Sequence, residues 1–308
     1  MRSISYTNSP SFKHARPIAG RRPVVVIRCN WVPYAWRTTG LPSWTRHCCR
    51  APLMNAEHHI LHSEISSTSV YVTDGRRRGL VLICEHAGRE VPHGWSQLGL
   101  NGEYFNTHFS HDIGAADLTR FLSAQLDVPA FLARYSRLFY DINRGSRSWD
   151  CIRADMGGIP VPGSQNLGDA ERDLRDALVR GTFDSAVIRR VRPGDLVVGV
   201  HSFSRVFDGR LRETEIGVLR AEGCCYGQAL FDRLNADNRF VIGDNDPYDL
   251  RKVAPGTTSR IQAAVDVEAV IIEVRNDIIA TPDGVALVAA CIGEALASLT
   301  PSNSEART

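Results

Sequence analysis

The chain has 308 residues, 43% of them hydrophobic and 23% charged, which fits one large globular domain or two ordinary ones. No apolar run approaches the roughly eighteen residues of a membrane span, so no membrane partner is expected. Residues 1–53 carry nine Arg or Lys and no Asp or Glu, so the net charge of +2 hides a remainder of 27 basic against 34 acidic residues, about −7, which gives no reason to expect nucleic acid as a partner.

Residues 1–53 are rich in Arg, Ser, Pro and Trp and show no apolar periodicity beyond Pro23-Val24-Val25-Val26-Ile27. That run is too short for a signal peptide. The segment reads as a miscalled extension ahead of Met54 or as a disordered basic tail, and the folded domain is expected over 54–308. Eight cysteines, none in Cys-x-x-Cys spacing, give neither a disulfide framework nor a zinc finger. A reducing cytoplasm is the expected location.

Residues 79–84, Gly-Leu-Val-Leu-Ile-Cys, form a continuous apolar run that ends in Glu85-His86-Ala87-Gly88-Arg89. This is the pattern of a buried strand delivering charge at its C-terminal edge, where open α/β sheets place ligands. From 106 to 126 the spacing of Ile113, Ala116, Phe121, Leu122 and Leu126 predicts a helix. His108 and Asp112, four apart, would share one of its faces. A short strand is expected over 130–133.

Ser136 to Arg144 reads as a further buried strand through Leu138, Phe139, Tyr140 and Ile142. It also holds Arg137, Asp141, Asn143 and Arg144. Asp141 can pair one arginine, and the surplus donors suit a bound carboxylate, which guanidinium matches two-to-two. The loop 145–168 is long enough to act as a lid, and 169–191 predicts an amphipathic helix.

Residues 195–200, Asp-Leu-Val-Val-Gly-Val, predict a second buried strand, ending in His201-Ser202. A strand at 213–219, a helix at 225–237 and a polar turn at 243–248 follow. Val270 to Ile272 predict a third apolar strand ending in charge, Glu273-Val274-Arg275, before a closing helix at 282–299. Strands alternating with helices predict a three-layer α/β/α sandwich around one mixed, mostly parallel sheet.

Three strands thus end in Glu85-His86, His201 and Glu273, and a fourth carries Arg137 to Arg144. Convergence of such ends at one sheet edge is an active-site pattern. Two histidines and a carboxylate form the ligand set of a catalytic zinc that keeps a position for water. His86 and His201 are the expected ligands, with Asp112 as the third and Glu85 or His108 as its substitutes. Glu273 is then the general base, since a base must not itself be a ligand. Arg137 is placed on the oxyanion. Asn143 and Arg144 are placed on a substrate carboxylate, with Ser202 and Arg275 as further substrate-binding candidates. The competing reading from another class is a catalytically silent binder of acidic ligands.

Cys84-Glu85-His86-Ala87-Gly88, His108-x-x-x-Asp112-x-Gly114-Ala115, Ser136-Arg137-Leu138, Asp141-Ile142-Asn143-Arg144, Val200-His201-Ser202-Phe203, Glu215-Ile216-Gly217-Val218-Leu219, Asp244-Asn245-Asp246-Pro247-Tyr248 and Glu273-Val274-Arg275-Asn276-Asp277 occur in that order. Together they resemble the N-formylglutamate amidohydrolase family. The resemblance implies a zinc-exopeptidase-like fold, a small acidic substrate, and hydrolysis of an N-acyl amino acid, with formate and glutamate as products of the named reaction. By analogy with aspartoacylases and carboxypeptidases it puts His86 and His201 on metal positions, Glu273 on the catalytic carboxylate and Asn143-Arg144 on the carboxylate-binding pair. Two departures stand out. Arg89 occupies the place of the Glu that carboxypeptidases supply three residues after the first His. Thr258-Ser259-Arg260-Ile261-Gln262 lacks the His of the family's Thr-Leu-x-x-His stretch, so a different acyl substrate on the same fold is the nearest alternative.

Overall fold

The computed structural model describes residues 69–299. The extension expected at 1–53 lies outside them. One seven-stranded mixed sheet organises the described residues, in the order β1-β3-β2-β6-β11-β9-β10. Its strands are β1 (Val70–Thr73), β2 (Leu80–Cys84), β3 (Ala130–Ala133), β6 (Leu196–Phe203), β9 (Ile216–Arg220), β10 (Ile242–Asp244) and β11 (Glu268–Arg275). Two small ribbons stand apart, β4 (Asp155–Met156) with β5 (Ile159–Pro160), and β7 (Val206–Phe207) with β8 (Arg210–Leu211).

The four central strands β3, β2, β6 and β11 run parallel. Their apolar runs are buried on both faces, as parallel strands covered by helices must be. β1 joins antiparallel to β3, and β9 antiparallel to β11. The helices are α1 (Ala115–Leu126), α2 (Asp169–Arg175), α3 (Thr182–Arg190), α4 (Cys225–Asp237), α5 (Thr257–Ala264) and α6 (Pro282–Ala297). On one face Leu80, Leu82 and Val198 pack against Leu118 and Leu122 of α1, Leu230 of α4 and Val288 of α6. On the other, Val81, Ile83 and Val197 pack with Phe183 and Val187 of α3 and Ile261 of α5. The expected three-layer sandwich is what the chain forms. No helix among the described residues is long and apolar enough to cross a membrane.

Four local expectations need correction. Ser136 to Arg144 is a chain of buried turns, not a strand. Leu138, Phe139, Tyr140 and Ile142 are buried as expected, but their bulk signalled burial and not extended backbone. The helix expected from 106 begins only at Ala115, because Gly114 takes φ +80° where an added Cβ would lie 2.3 Å from the Ile279 carbonyl oxygen. Phe121, expected in its apolar stripe, is 46% exposed. The proposed lid at 145–168 is fixed to the body, with Cys151, Ile152, Met156 and Val161 in the core.

Candidate metal centre

The sheet register assembles the site. Glu273 of β11 pairs directly with His201 of β6. The β2–β6 ladder runs from Leu80↔Leu196 to Ile83↔Gly199, so two residues further on Glu85 comes level with His201. Alternation along strands puts Glu85, His201 and Glu273 on one face in a row across three strands. His86 follows as β2 ends, and its carbonyl oxygen accepts from the Asp112 backbone N–H at 2.9 Å. That bond brings the loop before α1 over the strand ends.

Asp112 lies at the centre. Its Oδ2 is 2.9 Å from His201 Nδ1, 3.4 Å from His86 Nδ1 and 3.3 Å from the Ser202 backbone N–H. One ligand atom from each of His86, Asp112 and His201 lies within 4.8 Å of the others, and all three residues are buried. The outer edges of both imidazoles face carboxylates. His86 Nε2 is 2.8 Å from Asp141 Oδ1. His201 Nε2 is 3.1 Å from Glu85 Oε2, close enough for an ion pair though not aligned as a hydrogen bond. Such carboxylates fix the tautomer of metal-ligating histidines and leave the inner nitrogen free to bind. The donor set and its backing therefore fit a divalent metal ion. Of the three candidates for third ligand, Asp112 is the one grouped with the histidines. Glu85 stands behind His201, and His108 Nδ1 lies 3.8 Å from Asp112 Oδ1.

Arg137 is the local cation. Its Nη2 donates to Asp112 Oδ1 and to the His108 carbonyl oxygen, and its Nη1 lies 3.2 Å from His86 Nδ1. Burial opposes ionisation of Asp112, but Arg137 and His86 outweigh it and hold this carboxyl well below the usual range. Burial likewise opposes a charged His201, yet Glu85 and Asp112 hold its pKa well above the ordinary value. Asp141 is held down to about 2 against its burial, by His86 and Arg144. Glu273 differs. Burial pushes its carboxyl up to about 7, and its Oε2 is buried without a hydrogen-bond partner.

His86, His108, Asp112, Arg137, His201 and Glu273 line one cavity together with Asn143, Arg144 and Ser202. Arg144 is half exposed, with its Nε 3.2 Å from Asp150 and 3.7 Å from Asp141. Asn143 Oδ1 accepts from the Thr257 backbone N–H at 3.0 Å and so caps α5 from a distance. The Ser202 hydroxyl donates to the Ile113 carbonyl oxygen at 2.8 Å and anchors the loop that carries Asp112. Arg275 does not join the cavity lining. It lies past the end of the site, held by Glu215 at 3.2 Å and Asp277 at 2.8 Å.

Tyr248, Gly256 and Thr258 also line the cavity, and sequence reasoning gave them no role. Gly217 was the available signal for the first. An added Cβ there would lie 2.0 Å from the Asp246 carbonyl oxygen, so the loop bearing Tyr248 presses directly on β9.

The N-formylglutamate amidohydrolase family model matches residues 78–280, which span every element of this site. The chain belongs to the N-formylglutamate amidohydrolase family. Membership supports an amidohydrolase acting on N-acyl amino acid substrates. No curated protein matches the chain. Among solved structures it is similar to gene product Atu2144 from Agrobacterium tumefaciens, with TM-score 0.66 and 28% identity over 77% of this chain and 98% of that one. Fainter likenesses include a bacteriophage poly-gamma-glutamate hydrolase (TM-score 0.39, 10% identity, 75% of this chain and 89% of that one). Murine aminoacylase 3 is another, with TM-score 0.39 and 10% identity over 73% of this chain and 65% of that one.

Proposed function

We propose that this member of the N-formylglutamate amidohydrolase family is a zinc-dependent enzyme that hydrolyses the amide bond of a small, carboxylate-bearing N-acyl amino acid. The products are a carboxylic acid and a free amino acid. One observation carries the reading: the buried convergence of His86, Asp112 and His201, with Glu273 paired beside His201 and outside the ligand group.

His86, Asp112 and His201 would hold the ion. Zinc in such a site supplies Lewis acidity and makes water nucleophilic near neutral pH. Glu273 takes a proton from the attacking water and delivers it to the nitrogen of the departing amine. Burial, which raises the Glu273 carboxyl above its ordinary value, favours a group that both accepts and releases a proton. Arg137 offers N–H groups to the oxygen on which negative charge develops. Arg144 and Asn143 receive the carboxylate of the amino-acid part, and this small acidic molecule is the expected partner. Asp141 holds His86 in place from behind.

The test begins with metal analysis of the purified protein. One zinc per chain is expected, with hydrolysis of N-acyl amino acids lost on chelation and restored by zinc. Protein that takes up no stoichiometric zinc and releases no amino acid from N-formyl, N-acetyl or N-succinyl substrates would overturn the proposal.

A further inference from the structure

The cavity extends well beyond the metal centre. From Glu273 it follows one face of β11 through Ile271 to Ala269, alternate residues whose side chains share that face. Four residues of strand make this floor about 13 Å long. Ile271 pairs directly with Leu219 of β9, which widens the floor sideways. Leu250 and Val253, from the segment ahead of α5, line the same space. The floor is buried, with Leu219 at 2% and Ile271 at 5% exposure, whereas Val253 at the mouth is 42% exposed.

Charge is distributed very unevenly along this cavity. Among the described residues that line it, the only Arg or Lys side chains are Arg137 and Arg144. Arg137 sits at the metal centre, beside Asp112, His86 and the His108 carbonyl, where its remaining N–H groups serve the oxyanion. Arg144 is the one guanidinium left for a substrate carboxylate. N-formylglutamate carries two carboxylates, and its second would enter the slot with no positive partner and an apolar floor beneath it. Only the neutral polar side chains of Tyr248, Thr258, Ser259 and Gln262 would face it there, so a charge is disfavoured relative to an apolar group.

We infer that the substrate presents one carboxylate to Arg144 and inserts an apolar group of several carbons into the slot between β11, β9 and the 250–253 segment. This takes the place of glutamate's second carboxylate. The inference rests on the amidohydrolase reading above and narrows its substrate class. The apolar group belongs either to the acyl chain or to the amino-acid side chain, which offer the slot the same chemistry.

Two substrate series on the zinc-loaded enzyme separate these sources. N-formylglycine, N-formylalanine and N-formylleucine lengthen the side chain, while N-acetyl-, N-butanoyl- and N-hexanoylglycine lengthen the acyl group. In the series that enters the slot, kcat/KM is expected to rise about fourfold per methylene. Its longest member should exceed N-formylglutamate at least tenfold. Val253→Arg, at the exposed mouth, should narrow that gap about tenfold by supplying a cation. Two flat series, or N-formylglutamate preferred over every apolar substrate, would overturn the inference while leaving the amidohydrolase intact. If no compound is hydrolysed, the amidohydrolase reading fails, and calorimetry with the protein as isolated decides the slot. Tighter binding of N-formylleucine or N-hexanoylglycine than of N-formylglutamate then supports it, and the reverse order overturns it.

Discussion

Glu273 and His201 stand directly opposite each other on adjacent parallel strands, yet only His201 belongs to the group of potential ligand atoms. A carboxylate beside a metal but not on it can move protons without losing the ion. Glu273→Gln keeps the shape and removes the proton acceptor. It is expected to lower kcat by about 10² to 10⁴-fold with zinc content unchanged by elemental analysis. Loss of zinc together with activity would instead make Glu273 a ligand.

Glu85 and Asp141 back the two histidines from outside, at 3.1 and 2.8 Å from their Nε2 atoms. Removing either charge leaves the candidate ligands in place but frees a ring to turn. Glu85→Gln and Asp141→Asn are each expected to weaken zinc binding about 10- to 100-fold. Competition against a fluorescent chelator measures it. Unchanged affinity in both variants would mean that the two carboxylates serve only folding.

Much of this site is legible in the sequence, because a buried parallel strand leaves a plain signature. The apolar runs of β2, β6 and β11 stop at Glu85-His86, His201 and Glu273, and residues at strand ends meet once the strands align. Turn-borne parts are less visible. Arg137 to Arg144 lies in buried turns whose bulky side chains imitate a strand. β1, β10 and α5 leave fainter signatures. β1 is a four-residue edge strand, β10 has three residues of which Gly243 and Asp244 read as turn, and α5 is a single eight-residue helix. The apolar slot has no sequence signature at all, since Leu219, Val253 and Ala269 come together only in three dimensions.

Arg144 reaches the cavity from a half-exposed position, and its pairs with Asp141 and Asp150 are long or partly solvated. Such pairs add little to stability. Arg144→Gln is therefore expected to leave the unfolding free energy within about 0.5 kcal/mol. A charge-assisted hydrogen bond to the substrate carboxylate contributes about 1.5–3 kcal/mol, so KM should rise roughly 10- to 100-fold. Steady-state kinetics and thermal melts on the same preparation check both halves. An unchanged KM would remove Arg144 from substrate binding.

Stability of the metal-free protein should fall as pH rises from 6.5 to 8. Glu273 has its carboxyl raised from 4.5 to about 7 by burial. Its contribution is complete below 4.5 and is lost as pH rises through 7. His201 is held above 6.5 by Glu85 and Asp112 against its burial, and His86 is held above 6.5 by Asp141 in the same way. Their contributions are complete below 6.5 and disappear as pH climbs through the raised values. His108, pushed down to about 4 by burial, and His111, also lowered, act in the opposite sense, but their effect is already complete above 6.5. Zinc reverses the trend, because it binds neutral imidazole and ionised carboxylate more tightly as protons leave. Melting temperatures of stripped and zinc-loaded protein should therefore diverge across this window, and Glu273→Gln should flatten the metal-free curve. Two parallel curves would show that the ion, if bound, sits away from these groups.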